Sequence, residues 1–265
     1  MMGTLVRRQA SVQSVTWWSR YVGGAMVGAM RLMEWALDAL FPPICIGCDR
    51  RCIQPGFCFR CRNEVTQHNA AECPRCGRAF ASGDEHQCSE CIAHPPAFER
   101  LWACSTYSRK RPDAPLARAI HRLKYDRDVS FAKPLATLLV ERFRGDFTYD
   151  AIVPVPLHVS RLRWRGFNQA VVLGRPLATH RVCPMQALAL ERVRPTPPQV
   201  GLGGEDRRRN MVNAFRVRPE WRLAGKRVLL VDDIYTTGAT VNECAKVLRR
   251  AGASAVDVAV LARAM

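Results

Sequence analysis

Residues 228–240, VLLVDDIYTTGAT, place two adjacent carboxylates between an apolar run and a loop of hydroxyl residues. The run, KRVLLV at 226–231, is continuously apolar after two basic residues, which is typical of a strand buried on both faces of a parallel sheet. The next segment, VNECAKVLRRAG at 241–252, has its apolar residues at helical spacing and ends on a glycine. A second strand, AVDVAVLA at 255–262, follows it. This order predicts an α/β domain.

The carboxylates and the loop together predict a ligand that carries a diol and a phosphate. Ligands of open α/β sheets bind at the carboxyl ends of the strands, where this carboxylate pair falls. A glycine in the loop permits a sharp turn, and backbone amides and the start of a helix can face a phosphate. Carboxylates repel a phosphate but accept hydrogen bonds from ribose hydroxyls. We therefore expect a ribose 5-phosphate site formed by Asp232, Asp233, Thr236, Thr237, Gly238, Ala239 and Thr240.

Three other kinds of nucleotide- or phosphate-related site fit the sequence poorly. A Walker B strand needs a G-x4-G-K-[ST] loop, which is absent. A receiver domain needs far more than the 32 residues that follow Asp233. The G-x-G-x-x-G fingerprint of dinucleotide-binding domains is also absent, because GLGG at 201–204 does not complete it.

Eight of the twelve cysteines form four C-x-x-C pairs, a spacing that lets two thiolates reach one tetrahedral ion. Taken in sequence order, the pairs predict two structural zinc sites of four cysteines each, although an interleaved pairing has compatible spacing. The sites are Cys45, Cys48, Cys58 and Cys61, followed by Cys73, Cys76, Cys88 and Cys91. Metal-bound thiolates favour a reducing compartment, so a cytoplasmic protein is expected. We interpret Cys52 as a spare thiol, and Cys104, Cys183 and Cys244 as core residues.

The formal charge of +17 rests almost entirely on arginine, since the chain has only five lysines. A basic chain favours a nucleic-acid or polyphosphate partner as much as it favours a solvated surface. The Cys-rich segment could bind single-stranded nucleic acid by charge and stacking, or its aromatic rings could fill a small core. The residues concerned are Arg50, Arg51, Arg60, Arg62, Arg75 and Arg78, with Phe57, Phe59 and Phe80.

Residues 1–40 are predicted to form a leader and an amphipathic helix. No stretch reaches the length and apolarity of a membrane span, and residues 1–22 lack a secretory signal. Residues 24–41, GAMVGAMRLMEWALDALF, are interrupted by Arg31, Glu34 and Asp38. Such a helix packs on the protein itself or, alternatively, lies at the inner face of the membrane.

From about Leu40 to its end, the chain resembles the ComF family, competence-associated proteins that join a Cys-rich zinc segment to a type I phosphoribosyltransferase domain. Residues 228–240 resemble the phosphoribosyl pyrophosphate motif of such transferases. The other matching motifs, in order, are LFPPICIGC, AIHRLKYDRD, VPVPLHVSRLRWRGFNQA, RPTPPQ and RRRNMVNAF. The resemblance implies a type I phosphoribosyltransferase-like parallel sheet flanked by helices (99–265), preceded by a small double zinc ribbon with two four-cysteine sites (41–98).

The resemblance also implies further site residues. A loop after the strand at 151–158 would receive the pyrophosphate of phosphoribosyl pyrophosphate, bound with Mg²⁺. Val155 and Pro156 would shape this loop, and Arg161, Arg163 and Arg165 would neutralise the pyrophosphate, with Asn168 as a helix cap. From its proline, glycine and basic residues, the stretch at 194–210 is predicted to be a mobile loop. The resemblance implies that the basic stretch at 207–215 is the flexible loop that closes over the substrate, and that Arg207 and Arg209 reach the pyrophosphate. Lys124 is expected to contact phosphate, the ribbon or solvent.

Three functions remain open from the sequence. The first is a ComF-like protein that binds phosphoribosyl pyrophosphate and supports DNA uptake together with DNA-uptake proteins. The second is an active phosphoribosyltransferase of nucleotide metabolism with an unknown acceptor. The third is a non-catalytic adaptor that binds single-stranded DNA.

Overall fold

The computed structural model describes residues 42–66, 71–81, 83–108, 110–143, 148–195 and 204–264. The predicted leader and amphipathic helix lie outside these residues. Within the described part of the chain, no helix is long and apolar enough to span a membrane. Residues from Ile44 onward form one compact unit, so the predicted boundary at residue 98 falls inside that unit.

Within the described residues, four strands form the central sheet in the order β1–β6–β5–β2. Neighbouring strands of this sheet are parallel, as the apolar runs predict. Two shorter strands, β3 and β4, pair antiparallel beside it. The strands are β1 (Leu101–Tyr107), β2 (Ala151–Pro154), β3 (Leu190–Arg192), β4 (Phe215–Val217), β5 (Arg227–Tyr235) and β6 (Ala255–Ala264). The two central strands, β5 and β6, are buried along most of their length, which explains their unbroken apolar sequence.

Helices pack on both faces of the sheet. The two small helices of the Cys-rich segment are α1 (Phe59–Thr66) and α2 (Ser89–Ala93). The remaining helices are α3 (Pro115–His121), α4 (Ala132–Arg142), α5 (Val159–Arg165), α6 (Gln169–Arg181), α7 (Gly204–Met211) and α8 (Ala239–Arg250). A π-helical turn, Arg122–Asp126, follows α3, and a 3-10 turn, Val129–Phe131, precedes α4.

Strand β5 divides its side chains between two cores. Leu229 and Val231 face the core formed with α3, α4 and α6, whereas Val228 and Leu230 face the core that contains α8 and the β3–β4 pair. This alternation follows from the two-residue period of a strand. The sheet is therefore covered on both sides, and the predicted arrangement of a parallel sheet flanked by helices is confirmed.

The Cys-rich segment packs directly on the helices of this domain. Ile46 and Val65 are buried in the same core as α3 and α4. A Cβ added at Gly47 would lie 2.7 Å from Pro115 Cβ, so the backbone of the first C-x-x-C pair approaches α3 closely. Ion pairs from Arg62 to Glu141 and from Arg118 to Asp49 border this contact.

The predicted loop at 194–210 is wrong for its last part, because α7 begins at Gly204. The sequence GEDRRRNM contains good helix formers, and Asp206 pairs with Arg209 three residues later, at 2.8 Å. Residues 196–203 of the predicted loop lie outside the described residues. Met211, at the end of α7, is fully buried and anchors the helix in the core beside α8.

Leu230→Ala should lower the free energy of unfolding by about 2–5 kcal/mol, because Leu230 is fully buried and its loss leaves a cavity in β5. Urea unfolding followed by circular dichroism measures this change. Leu188, which is 57% exposed, supplies the control, and Leu188→Ala should change stability by less than about 0.5 kcal/mol. Equal effects of the two substitutions would contradict the assigned burial.

Candidate functional site

The carboxylate pair lies inside β5, near its carboxyl end, rather than beyond the strand. The sequence places the strand end at Val231, but pairing with β6 continues through Tyr235, which lies opposite Arg263. The strand is longer because β6 extends to Ala264 and pairs with Asp232, Ile234 and Tyr235. Asp232 and Asp233 nevertheless lie at the carboxyl edge of the sheet, where the sequence predicts them.

Asp233 is a buried carboxylate, 4% exposed, and Lys124 is its cation. Lys124 Nζ lies 2.8 Å from Asp233 Oδ1, and both side chains are largely shielded from water. Lys124 comes from the π-helical turn after α3, more than a hundred residues earlier in the chain. No sequence pattern indicates this partner. The second oxygen, Asp233 Oδ2, is buried and lacks a hydrogen-bond partner in the part of the chain described.

Asp232 differs from its neighbour in having no ion pair of this kind among the described contacts. Its Oδ1 accepts a hydrogen bond from the backbone N–H of Asp233 at 2.9 Å. Burial of the carboxyl and the adjacent charge of Asp233 raise the pKa of Asp232 to about 7, against an ordinary value of 3.8. One site thus contains a paired carboxylate and a second carboxyl that titrates near neutral pH.

The loop after β5 has the backbone that a phosphate cradle requires. Gly238 adopts φ +76°, and a Cβ at this position would lie only 2.6 Å from Tyr235 Cζ. Glycine is therefore required both by the left-handed conformation and by space. Ala239 begins α8, so unpaired helix amides face the loop. Thr236, Thr237 and Thr240 are partly buried, and Thr237 Oγ1 has no hydrogen-bond partner among the described residues.

The loop after β2 lies beside β5, as expected for two neighbouring strand ends. Val155 and Pro156 are both buried, and the Val155 N–H donates to the Val231 carbonyl at 2.9 Å. Asn168 is confirmed as the cap of α6, because its Oδ1 accepts from the Ala170 N–H at 2.9 Å. Its Nδ2 also donates to the Val155 carbonyl, which ties this loop to the helix.

Among the three arginines predicted for this loop, Arg165 is the most buried, at 9% exposure. Its Nη1 donates to Gln169 Oε1 at 2.5 Å, while its Nε is buried without a partner among the described residues. Burial lowers the pKa of Arg165, and the charges of Asp233 and Asp232 oppose that effect. Arg161 is partly buried, and Arg163 is exposed.

Arg192 joins this group although the sequence did not indicate it. It lies at the end of β3, and burial lowers its pKa, with Arg161 and Asp232 among the charges that act on it. Arg209 lies on the exposed side of α7, where it pairs with Asp206. The side chain of Arg207 lies outside the described residues. The roles of Arg207 and Arg209 therefore stay predictions.

The eight paired cysteines form two clusters in sequence order, so the interleaved pairing does not occur. In each cluster the four Sγ atoms lie within 4.8 Å of one another. The clusters are Cys45, Cys48, Cys58 and Cys61, and Cys73, Cys76, Cys88 and Cys91. Cys52 belongs to neither cluster, and Cys104, Cys183 and Cys244 are buried in the core as predicted.

The first cysteine of each cluster has a lowered thiol pKa, which favours the thiolate. Burial alone would raise the pKa of Cys45, but N–H donors from Cys58 and Gly47 outweigh burial and lower it to about 7. Cys73 behaves in the same way, with the Cys88 N–H as a donor, and its pKa is also about 7. Four convergent thiols with amide donors fit a structural zinc ion, which leaves no ligand position for water.

The second cluster lies against the loop that follows β5. Tyr235 packs on this cluster, and its ring also covers Gly238. Arg263, buried at the end of β6, donates from Nε to the Cys76 carbonyl at 2.8 Å, and its Nη2 lies 3.7 Å from Cys76 Sγ. The guanidinium carbon lies 5.6 Å from the centre of the Tyr235 ring. No local pattern indicates this contact, because Arg263 directly follows the strand predicted at 255–262.

The aromatic residues of the Cys-rich segment are mostly occupied. Phe57 packs on the main core, and Phe80 stacks on His86 and contacts the second cluster. Phe59 alone of the three is strongly exposed, at 82%. These positions favour the interpretation that the rings fill a small core over the interpretation that they form a continuous stacking surface.

Two sequence-family models match separate parts of the chain. Residues 36–92 match the double zinc ribbon domain, and residues 167–265 match the phosphoribosyl transferase domain. The two four-cysteine clusters are accordingly structural zinc sites of the ribbon type.

The similar proteins align with about four fifths of the chain. The DNA utilization protein YhgH of Salmonella typhimurium is 38% identical over 217 residues, which cover 79% of this chain and 91% of that protein. Competence protein F of Haemophilus influenzae is 33% identical over 216 residues, covering 79% and 91%. Among solved structures, a glutamine phosphoribosylpyrophosphate amidotransferase from B. subtilis matches 49% of this chain and 25% of its own, with 22% identity and a TM-score of 0.34.

Two zinc ions per chain are expected, and Cys61→Ser or Cys91→Ser should each reduce the content to one, because three thiols no longer complete a tetrahedral site. Plasma mass spectrometry of the purified protein measures the metal. Cys52→Ser is the matched control and should retain two ions. A loss of zinc from Cys52→Ser would show that the clusters are assigned wrongly.

Asp232→Asn should stabilise the fold near pH 8 by about 1–3 kcal/mol, since it removes a carboxylate that is costly to ionise when buried. The folded state keeps a proton on Asp232 up to about pH 7, whereas the unfolded chain loses it near pH 4, so native stability falls as pH rises between these values. The advantage of the variant should therefore grow from pH 5 to pH 8 in urea unfolding. A constant difference would show that Asp232 is ionised throughout.

Proposed function

The chain belongs to the ComF family, with DNA utilization protein YhgH and Competence protein F among its members, and on that premise we propose that it binds phosphoribosyl pyrophosphate with Mg²⁺ and acts in the cytoplasm in the uptake or use of DNA. The DNA role rests on the names of the relatives. The ligand rests on the chemistry of the site around β5 and its loop.

Buried polar atoms without partners carry the ligand proposal. Asp233 Oδ2, Thr237 Oγ1 and Arg165 Nε are buried and unpaired among the described residues. Such atoms normally cost about 1–3 kcal/mol each, so three of them near one strand end favour a ligand that satisfies them. Ribose hydroxyls would donate to the carboxylates, and a 5-phosphate would accept from Thr237 and the loop amides.

The basic side chains around the carboxylates suit the pyrophosphate of this ligand. Lys124, Arg161, Arg165 and Arg192 surround the pair, which favours a polyanion in spite of the two acidic side chains. The pyrophosphate would lie against the loop at Val155 and Pro156, and Mg²⁺ bound with the ligand would neutralise part of its charge, while Asp232 and Asp233 would hold the ribose. Arg207 and Arg209 would approach when residues from α7 close over the ligand.

The same site would also support transfer chemistry. An acceptor would attack C1 of the ribose as the bond to pyrophosphate breaks, and the arginines would stabilise the departing pyrophosphate. Pyrophosphate release in the presence of an acceptor distinguishes a phosphoribosyltransferase from a protein that only binds the ligand.

Isothermal titration with phosphoribosyl pyrophosphate and Mg²⁺ tests the proposal. We expect binding by the wild type and at least about 30-fold weaker binding by the Asp232→Asn/Asp233→Asn double variant, because two charged hydrogen-bond acceptors are lost. Asp113→Asn removes an exposed carboxylate and should bind like the wild type. Absence of wild-type binding, together with salt-dependent binding of single-stranded DNA, would favour the non-catalytic adaptor.

A further inference from the structure

Tyr235 joins the second cysteine cluster to the loop that is proposed to hold a phosphate. It is the last residue of β5, and residues 236–240 (the phosphate loop) follow it directly. Its ring packs against the four cysteines of the cluster. The same ring fills the space beside Gly238, where an added Cβ would lie 2.7 Å from Tyr235 Cε2. The position of the glycine turn is therefore limited by the position of this ring.

Arg263 fixes the ring of Tyr235 to the cluster. The two residues lie opposite each other in the pairing of β5 with β6, and the Arg263 guanidinium carbon is 5.6 Å from the ring centre. The arginine is buried and donates from Nε to the Cys76 carbonyl and from Nη1 to the Ala264 carbonyl. Its Nη2 lies 3.7 Å from Cys76 Sγ, so a cation stands beside a thiolate that would bind zinc. Phe98 also contacts the Tyr235 ring, edge to face, with the ring centres 6.2 Å apart.

The cysteine that Arg263 contacts would be fixed by the zinc ion of its cluster. Binding of metal to four-cysteine sites is coupled to their folding, so loss of the ion also releases the backbone that carries the ligands. Cys76 would then no longer hold Arg263 in one orientation, and Tyr235 would lose the support of both the cluster and the arginine. The phosphate loop would have more conformations to lose when a phosphate binds, which lowers the affinity.

The first cluster contacts another part of the domain. An added Cβ at Gly47 would lie 2.7 Å from Pro115 Cβ, so this cluster approaches the start of α3. Its polar link toward the carboxylates is the ion pair of Asp49 with Arg122, the first residue of the π-helical turn. Both side chains of this pair are partly exposed, and such pairs contribute little to stability. The first cluster therefore provides a comparison within the same chain.

We propose that Tyr235 is a positioning residue that couples zinc in the second cluster to the conformation of the phosphate loop. Held by the cluster, the ring keeps the turn at Gly238 in the form in which loop amides and threonine hydroxyls face one phosphate. The affinities for the phosphate ligand and for the second zinc ion are then linked, and each raises the other by the same factor. The inference rests on the proposed function for the identity of the ligand, a sugar 5-phosphate, whereas the coupling lies in the contacts of Tyr235.

Amide hydrogen exchange of the ligand-free protein tests the coupling in the absence of any phosphate. The reporter is the Asn242 N–H, which donates to the Gly238 carbonyl at 2.8 Å. Cys91→Ser removes a ligand of the second cluster, and Cys61→Ser removes the equivalent ligand of the first. We expect residues 236–242 to exchange about tenfold faster in Cys91→Ser and within about threefold of the wild-type rate in Cys61→Ser. Equal exchange of this segment in the two variants would overturn the coupling.

Substitution of the ring tests the same coupling with all eight zinc ligands in place. In isothermal titration, Tyr235→Ala should bind ribose 5-phosphate about tenfold more weakly because the loop loses its support. Tyr235→Phe keeps the ring and should bind within about threefold of the wild type. Phe80→Ala is the matched control, since Phe80 packs on the same cluster but stacks on His86. Wild-type affinity in Tyr235→Ala, or an equal loss in Phe80→Ala, would count against the positioning role.

The two measurements distinguish this inference from the proposed function. If the wild type binds neither ribose 5-phosphate nor phosphoribosyl pyrophosphate, but exchange of residues 236–242 depends on the second cluster, the coupling stands and the proposed ligand fails. If ribose 5-phosphate binds equally to every variant and exchange is the same in all of them, the proposed ligand stands and the coupling is overturned.

Discussion

The ion pair between Asp233 and Lys124 is the constraint on which the rest of the site depends. A carboxylate buried this deeply needs a cation, and removing one partner of a buried pair typically costs about 3–5 kcal/mol. Lys124 reaches Asp233 from the π-helical turn after α3, which brings the end of α3 close to the end of β5. With one oxygen of Asp233 paired to Lys124, its other oxygen has no partner among the described residues, and Asp232 accepts a hydrogen bond from the Asp233 N–H through one oxygen only.

The strand–helix–strand unit at 226–262 could be predicted from the sequence, because local patterns determine it. The apolar run, the helical spacing from Val241 and the second strand correspond to β5, α8 and β6. The two zinc sites were equally predictable, since C-x-x-C spacing is a local property. The end of β5 was placed too early because it depends on a partner strand, and α7 was missed because flanking proline and glycine obscured a short polar helix.

The site was predictable only where its residues share one segment. The Asp232–Thr240 stretch and the loop after β2 lie together at the sheet edge as expected. Lys124, Arg192 and Arg263 reach the same region from distant parts of the chain, and no local pattern indicates which of 40 basic residues will do so. Burial of individual charges is set by tertiary packing, which composition and periodicity do not contain.

The contact of Tyr235 and Arg263 with the second cysteine cluster affects how the protein can be divided. Cys76 and Gly77 contact a surface formed by Leu101, Tyr235 and Arg263, so the ribbon packs directly on the sheet. A gene fusion or deletion with its junction near codon 98 would leave an apolar side chain and a buried charge open to water. The ribbon and the sheet therefore depend on each other for burial of these residues, although their sequences match two separate families.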